Sequence, residues 1–177
     1  VHNGIKFNQI KTIDPSLKKI REKYQNIFVA SSSWHRQKRL KENIEFFKLN
    51  SSKNDALIVL GSNPDFVVKD ENIFYMGHLT HRQCLQLYEI SDYFIHLSWL
   101  DHCPNVVVEA LSRNCTVICT DSGGTKEIVK NGIIIPEKTK YNFELCDYDN
   151  PPELELKKIN LPINMEIDKK DLCIKKV

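Results

Sequence analysis

Short apolar runs alternating with helical patterns predict an α/β fold, a Rossmann-like parallel sheet of about six strands flanked by helices. Three observations carry that prediction. Runs such as ALIVL (56–60) and TVICT (116–120) lack polar alternation, as strands covered on both faces do. The stretches between them place apolar residues at helical spacing. Capping and turn signals mark the joins: Asp14-Pro15, Thr80 with Gln83, Pro104 and Gly123-Gly124.

In chain order, residues 1–13 show no helical or strand period, and Asn3-Gly4 is a turn signal. Asp14 and Pro15 then open a short amphipathic helix with Leu17, Ile20 and Tyr24 inward. Residues 27–30 make a first buried strand. After SSSWHRQ a second helix runs to about Leu49, with Leu40, Ile44 and Phe47 on one face. Residues 56–60 are the second strand, stopped by Gly61. The loop 62–71 is too short for a full crossover helix, and 73–76 form a third strand ending at Gly77. Thr80 and Gln83 form a capping box for a helix to about Ile90, with Leu85 and Tyr88 inward. The fourth strand, 93–97, leads to Pro104, which suits a first helical position because its missing N–H costs nothing there. That helix reaches about Arg113. Residues 116–120, a helix over 125–130 and a last strand over 132–135 complete a domain ending near residue 137. Residues 138–177 read as an extended tail packed on it, with Leu154, Leu156, Ile159, Leu161 and Ile163 as sparse anchors and a last short helix after Asp168.

Bulk composition narrows the function. Lys plus Arg number 25 against 23 acids, which argues against a nucleic-acid or membrane-surface role driven by charge. No run of 18 apolar residues is present, so no membrane span is expected. The six cysteines are scattered without CxxC pairing, several inside apolar runs, which suggests a reducing, cytoplasmic compartment. The start at Val1 suggests a trimmed chain or one domain cut from a longer protein.

Ligands of open α/β sheets bind at the carboxyl ends of the strands, so the loops there carry the chemistry. The most informative is SWLDHCPNVVVEA (98–110). Asp101 lies in the loop and Glu109 in the helix after it. The N–H groups of Asn105, Val106 and Val107 at the helix start favour an anion. Carboxylates beside an anion site suit hydroxyls, so the pair implies a phosphorylated, polyhydroxylated ligand, best a nucleotide sugar. Taken singly, Asp101 as a loop acid and Glu109 as a solvent-facing helix residue are the plainer readings. The first loop, SSSWHRQK, puts Arg36, Lys38 and Arg39 at a helix start, where cations make sense if an anion lies between them; a solvated basic turn is the alternative. Ser122-Gly123-Gly124 either brings bare backbone close to a ligand or is an ordinary turn. His78, His81 and Cys84 have metal-ligand spacing without a fourth ligand, so no metal site is expected. Trp34 and Trp99 could stack on a base, though packing at the core edge is the commoner fate. No G-x-G-x-x-G or Walker A pattern occurs.

The run VHNGI near the start, Lys38-Arg39, and the stretch FYMGHLTHRQCLQLYEISDYFIHLSWLDHCPNVVVEAL through TVICTDSGGTKEIV resemble family 4 of the retaining glycosyltransferases. The likeness is to the C-terminal, donor-binding half of the GT-B fold, over residues 1 to about 137. Asp101-x7-Glu109 is similar to that family's E-x7-E motif. The resemblance implies that Lys38 clamps a donor diphosphate, Asp101 meets hydroxyls of the transferred sugar and Glu109 those of the ribose. It also implies that Asn105 and Val106 hold phosphate oxygens, that Gly77–Leu79 border the base, and that Gly61 lines the pocket; Gly124, from the Ser122-Gly123-Gly124 turn, is a further donor-binding candidate. The donor would be a UDP-, GDP- or ADP-sugar, with no bound metal or other cofactor. Serines at 32–33 stand where the family has an arginine, for which Arg36 is a substitute, and the first acid is one methylene short. By the same resemblance, these residues hold no counterpart of the N-terminal acceptor domain, and VHNGI resembles the exit of the interdomain linker. A non-catalytic nucleotide-sugar-binding module and a GT-B-like epimerase are the alternatives to a transferase.

Overall fold

A computed structural model describes residues 10, 12–142 and 144–162 of this chain. Six strands, β1 (Ile27–Ser31), β2 (Ala56–Leu60), β3 (Ile73–Gly77), β4 (Tyr93–His96), β5 (Thr116–Thr120) and β6 (Ile133–Ile135), form one sheet in the order β3-β2-β1-β4-β5-β6. Every pairing is parallel. This is the order of a doubly wound Rossmann sheet, and its direction of progression reverses between β1 and β4. Register there sets Phe28 beside Tyr93 and Val29 beside Phe94.

The absence of alternation in the strands has its cause in two cores. On one face Val29, Ile58, Phe94 and Val117 meet α1 (Pro15–Lys23), α3 (His81–Ile90) and α4 (Asn105–Leu111). On the other, Phe28, Leu57, Ile95 and Ile118 meet α2 (Leu40–Asn50) and part of the tail. A strand with both faces covered has no position for a polar side chain except near its ends.

Local chemistry explains the boundaries. Asp14 caps α1 by accepting the Ser16 N–H at 2.8 Å. The Thr80–Gln83 capping box forms in both directions. Pro104 sits one position earlier than expected, as the cap of α4 with ψ 118. The end of α4 is a Schellman arrangement: the Cys115 N–H donates to Ala110 O and the Asn114 N–H to Leu111 O, with Asn114 left-handed at φ 62. Asparagine tolerates that conformation better than other residues with a Cβ. A single 3-10 turn, Arg36–Lys38, precedes α2, with Arg39 left-handed at φ 54 between them. The helix after β5, α5 (Thr125–Ile128), is shorter than its sequence pattern suggested.

Beyond β6, the segment 151–162 has neither helix nor strand, and from Leu154 onward it lies against the second core beside α2. Leu154 is buried, and Leu156, Ile159 and Leu161 pack on the second core. Polar clasps hold it: the Ile159 N–H donates to Asn50 Oδ1 at 2.7 Å and Tyr93 Oη donates to Pro162 O at 2.6 Å. Asn3-Gly4, the VHNGI stretch, Ile163 and the expected helix after Asp168 lie outside the described residues.

Candidate functional site

The loops after β1 and β4 leave the sheet side by side, at the point where its order reverses. Ligands of open α/β sheets bind in that crevice. Here it is a cavity of about 260 Å³ lined by Ser32, Ser33, His35, Lys38, His96, Asp101, Pro104, Asn105 and Val106. Residues 63 positions apart in sequence meet in it: Lys38 Nζ lies 2.5 Å from Asp101 Oδ2. His96 Nε2 reaches the same oxygen at 3.0 Å.

Partial burial alone would raise the Asp101 carboxyl. The His96 and Lys38 contacts outweigh it and hold the group well below the usual carboxylate range. His96 is the opposite case. Its complete burial lowers its proton affinity, only partly opposed by Asp101. The site at rest is therefore an ion pair of Lys38 and Asp101 with a neutral imidazole behind it.

Glu109 stands apart from this pair, on the outer part of α4. Its Oε1 lies 3.1 Å from Nε2 of the exposed His81, the first residue of α3. Burial pushes the Glu109 carboxyl up, against the pull of His81. His81, one of three residues with metal-ligand spacing, is thus engaged with a carboxylate, while Cys84 Sγ points to Leu79 O at 3.9 Å. Among the described residues no cluster of His, Cys, Asp and Glu could hold a metal ion.

The remaining candidates divide by what their surroundings use. Gly61, φ 113, donates its N–H to Gly77 O at 2.8 Å, and a Cβ there would fall 1.7 Å from Ser32 O. It lets the β1 and β2 loops touch. Gly77, φ 64, has open space where a Cβ would point. Leu79 is half-buried against the first core. Gly124 gives its N–H to Asp101 O at 2.9 Å, and a Cβ would lie 2.2 Å from His102 O. Its bare backbone approaches the Asp101 loop. Arg36 is exposed and forms no side-chain bond among the described residues.

Two sequence expectations need correction. Val107 was grouped with Asn105 and Val106 as an open donor, but its N–H is bonded to Pro104 O at 3.1 Å, because the cap carbonyl folds back over the first turn. Arg39 does not face the crevice. It is 1% exposed and donates to both oxygens of Glu137, at 2.5 and 3.3 Å, and to Pro152 O at 2.6 Å, with its guanidinium 5.6 Å from the Trp99 ring centre. The anion inferred between the basic residues is, for Arg39, the protein's own Glu137. Both tryptophans are core-edge residues, Trp34 donating Nε1–H to Leu60 O at 2.9 Å.

Sequence reasoning missed His96 and Glu137. His96 had a visible signal, an imidazole inside the apolar run YFIHL. Glu137 had none, since its partner lies 98 residues away.

A larger hollow of about 770 Å³ lies at the amino ends of β1 and β4, away from the crevice, beside Arg21, Asp92 and Ile159. Its polar groups serve the fold: Asp92 Oδ2 is taken by Arg21 and by the Ile27 N–H. No helix among the described residues is long and apolar enough to cross a membrane.

Residues 12–144 match the family described as glycosyl transferases group 1. A search of the curated proteins found no match. Among solved structures, Anabaena Alr3699/HepE in complex with UDP-glucose is 20% identical with a TM-score of 0.59, over 71% of this chain and 40% of that one. WaaG, a glycosyltransferase involved in lipopolysaccharide biosynthesis, is 18% identical at 0.56, over 72% and 39%. A UDP-forming trehalose-phosphate synthase from Burkholderia xenovorans is 11% identical at 0.58, over 68% and 35%. At such identities the likeness concerns the fold, that of the C-terminal half of GT-B enzymes, and this chain spans about 40% of the first two structures' length. The family match over most of the chain and a parallel sheet of the same topology lead to one conclusion: the chain belongs to the glycosyl transferases group 1, family 4 of the GT-B glycosyltransferases.

Proposed function

We propose that this chain is the nucleotide-sugar-binding half of a retaining glycosyltransferase that moves a hexose-type sugar to a glycan or other acceptor. One observation carries the reading: Lys38 and Asp101, a cation for phosphate and an acid for hydroxyls, meet at the β1/β4 crevice with His96 beneath them. In the proposed complex Lys38 leaves Asp101 for the donor diphosphate and stabilises the departing nucleoside diphosphate, with Arg36 as an outer cation. Asp101 takes hydroxyls of the transferred sugar, and Glu109 those of the ribose. The N–H groups of Asn105 and Val106 face phosphate oxygens, Gly77 and Leu79 border the base, and Gly61 and Gly124 shape the walls. Charge on the leaving group is met by side chains, so the reading requires no metal.

A cavity of about 260 Å³ is small beside the roughly 300–1,000 Å³ of ordinary ligand pockets. That fits a crevice completed by a second wall, the acceptor-binding domain. On this reading transfer needs that second wall as well as this chain, and a cytoplasmic setting is in keeping with the buried thiols Cys115 and Cys119.

The test is calorimetric titration with UDP, GDP, ADP and their sugars, starting from UDP-glucose, the ligand of the HepE structure. Saturable binding of a nucleotide sugar, weakened by Lys38→Ala, supports the reading. No binding by any of them at millimolar concentration refutes it.

A further inference from the structure

His96 is a polar residue where the fold calls for an apolar one. It closes β4 within Tyr93-Phe94-Ile95-His96-Leu97 and is 4% exposed. Burying an imidazole is costly unless its ring nitrogens are bonded. Its partner is Asp101 Oδ2 at 3.0 Å, the same oxygen that Lys38 Nζ approaches at 2.5 Å. The other oxygen, Oδ1, has no partner among the described residues.

The rest of Asp101 is also held. Its carbonyl accepts the Gly124 N–H at 2.9 Å and Thr125 Oγ1–H at 3.2 Å. Leu100, the residue before it, is left-handed at φ 51, a conformation L residues avoid. The His96 ring lies near-parallel to Phe94, with centres 6.4 Å apart and planes at 23°. Burial keeps the imidazole neutral, and the Lys38 charge acts in the same direction. Because a carboxylate only accepts, the ring hydrogen between them is on Nε2.

One carboxylate oxygen thus has two donors of different character. Lys38 is charged and sits on a flexible stem; His96 is neutral and packed. The doubling makes sense if one donor leaves. On the donor-binding reading above, a diphosphate draws Lys38 away, and without His96 an acid that is 15% exposed would be left with no donor on Oδ2. We propose that His96 is a positioning residue for Asp101, its Nε2–H holding Oδ2 so that Oδ1 is presented to a hydroxyl of the donor sugar and the carboxylate stays in place when Lys38 turns to the diphosphate.

The role separates by ligand. The full chain, His96→Phe and His96→Gln are titrated with UDP, GDP and ADP and with the glucose and mannose esters of each. His96→Phe should lose about tenfold in affinity for the nucleotide sugar, while the bare nucleoside diphosphate, which never touches Asp101, binds within about twofold of the unmutated chain. His96→Gln, whose amide can donate from near the Nε2 position, should recover most of the loss. Equal losses for both ligands mark a structural role and overturn the proposal, as does an unchanged ratio. Failure of the unmutated chain to bind any of them defeats the donor reading instead, and the sugar-directed role with it. A second measurement needs neither ligand nor variant: ¹⁵N spectra of the histidine-labelled chain at neutral pH should show His96 neutral with its hydrogen on Nε2. A Nδ1–H or doubly protonated ring there overturns the anchoring of Asp101.

Discussion

The buried pair of Arg39 and Glu137 offers the sharpest test of how the crevice is built. Both side chains are fully buried, and the guanidinium is fixed by two carboxylate oxygens and by Pro152 O. Glu137 Oε1 is further bonded to Ser122 Oγ at 3.3 Å, and the Glu137 N–H donates to Asp121 Oδ1 at 2.8 Å. Glu137→Gln keeps the shape and removes the charge, which strands a guanidinium with no water to solvate it. Removing one partner of such a pair costs about 3–5 kcal/mol. For a domain of this size each kcal/mol is worth about 2–4 °C, so the melting temperature should fall by about 6–20 °C. Urea unfolding followed by far-UV circular dichroism measures the change directly. The double variant Arg39→Met, Glu137→Leu removes both charges and should recover at least about 2 kcal/mol of the loss, because apolar replacement of a whole buried pair is often neutral or stabilising. In Glu137→Gln the tail clasp at Pro152 should weaken as well, opening residues beyond it to limited proteolysis. A cost for Glu137→Gln below about 1 kcal/mol, the range of an exposed ion pair, would refute the reasoning.

The other predictions each rest on a single feature. Gly61→Ala should destabilise well beyond about 1 kcal/mol, because a Cβ at φ 113 would strike Ser32 O. Gly77→Ala, in open space at φ 64, should cost only the conformational penalty of about 1–2 kcal/mol, and urea midpoints compare the two. Lys38→Ala should weaken nucleoside diphosphate binding by about 10- to 100-fold, and Glu109→Ala should cost about 1–3 kcal/mol for any ligand with a ribose, both read by calorimetry. The pH dependence has a worked sign. His96 titrates below its ordinary 6.5 in the folded chain, so the unfolded chain takes the proton first and stability falls as pH drops below 6.5, by up to about 1.4 kcal/mol per pH unit. Asp101, also depressed, contributes fully above about pH 4 and loses its contribution only as pH falls through its lower folded value. His96→Phe should therefore flatten the stability profile between pH 7 and 5; an unaltered slope of urea midpoint against pH would count against a buried neutral imidazole.

Much of this protein is legible residue by residue because the forces involved are local. ALIVL must be covered on both faces, Thr80 with Gln83 must cap a helix, and Asn114 can take the left-handed turn where a helix ends. The spacing Asp101-x7-Glu109 places one acid in a loop and the other on the helix behind it, whatever lies around them. What failed was pairing across distance. Arg39 follows Lys38 directly, and nothing in the string separates them. The left-handed backbone at Arg39 sends one side chain into the interior and leaves the other in the crevice.

Strands, helices and the loops that carry the chemistry depend on neighbours within a few positions, so each can be read from a short stretch of residues. Which charges face each other cannot be read that way. Lys38 meets Asp101 rather than Glu109, Glu109 meets His81, and Arg39 is neutralised by Glu137, because the β3-β2-β1-β4-β5-β6 order brings the ends of β1 and β4 together. A long-range ion pair is a property of that order and of burial, neither of which any short stretch of the chain contains.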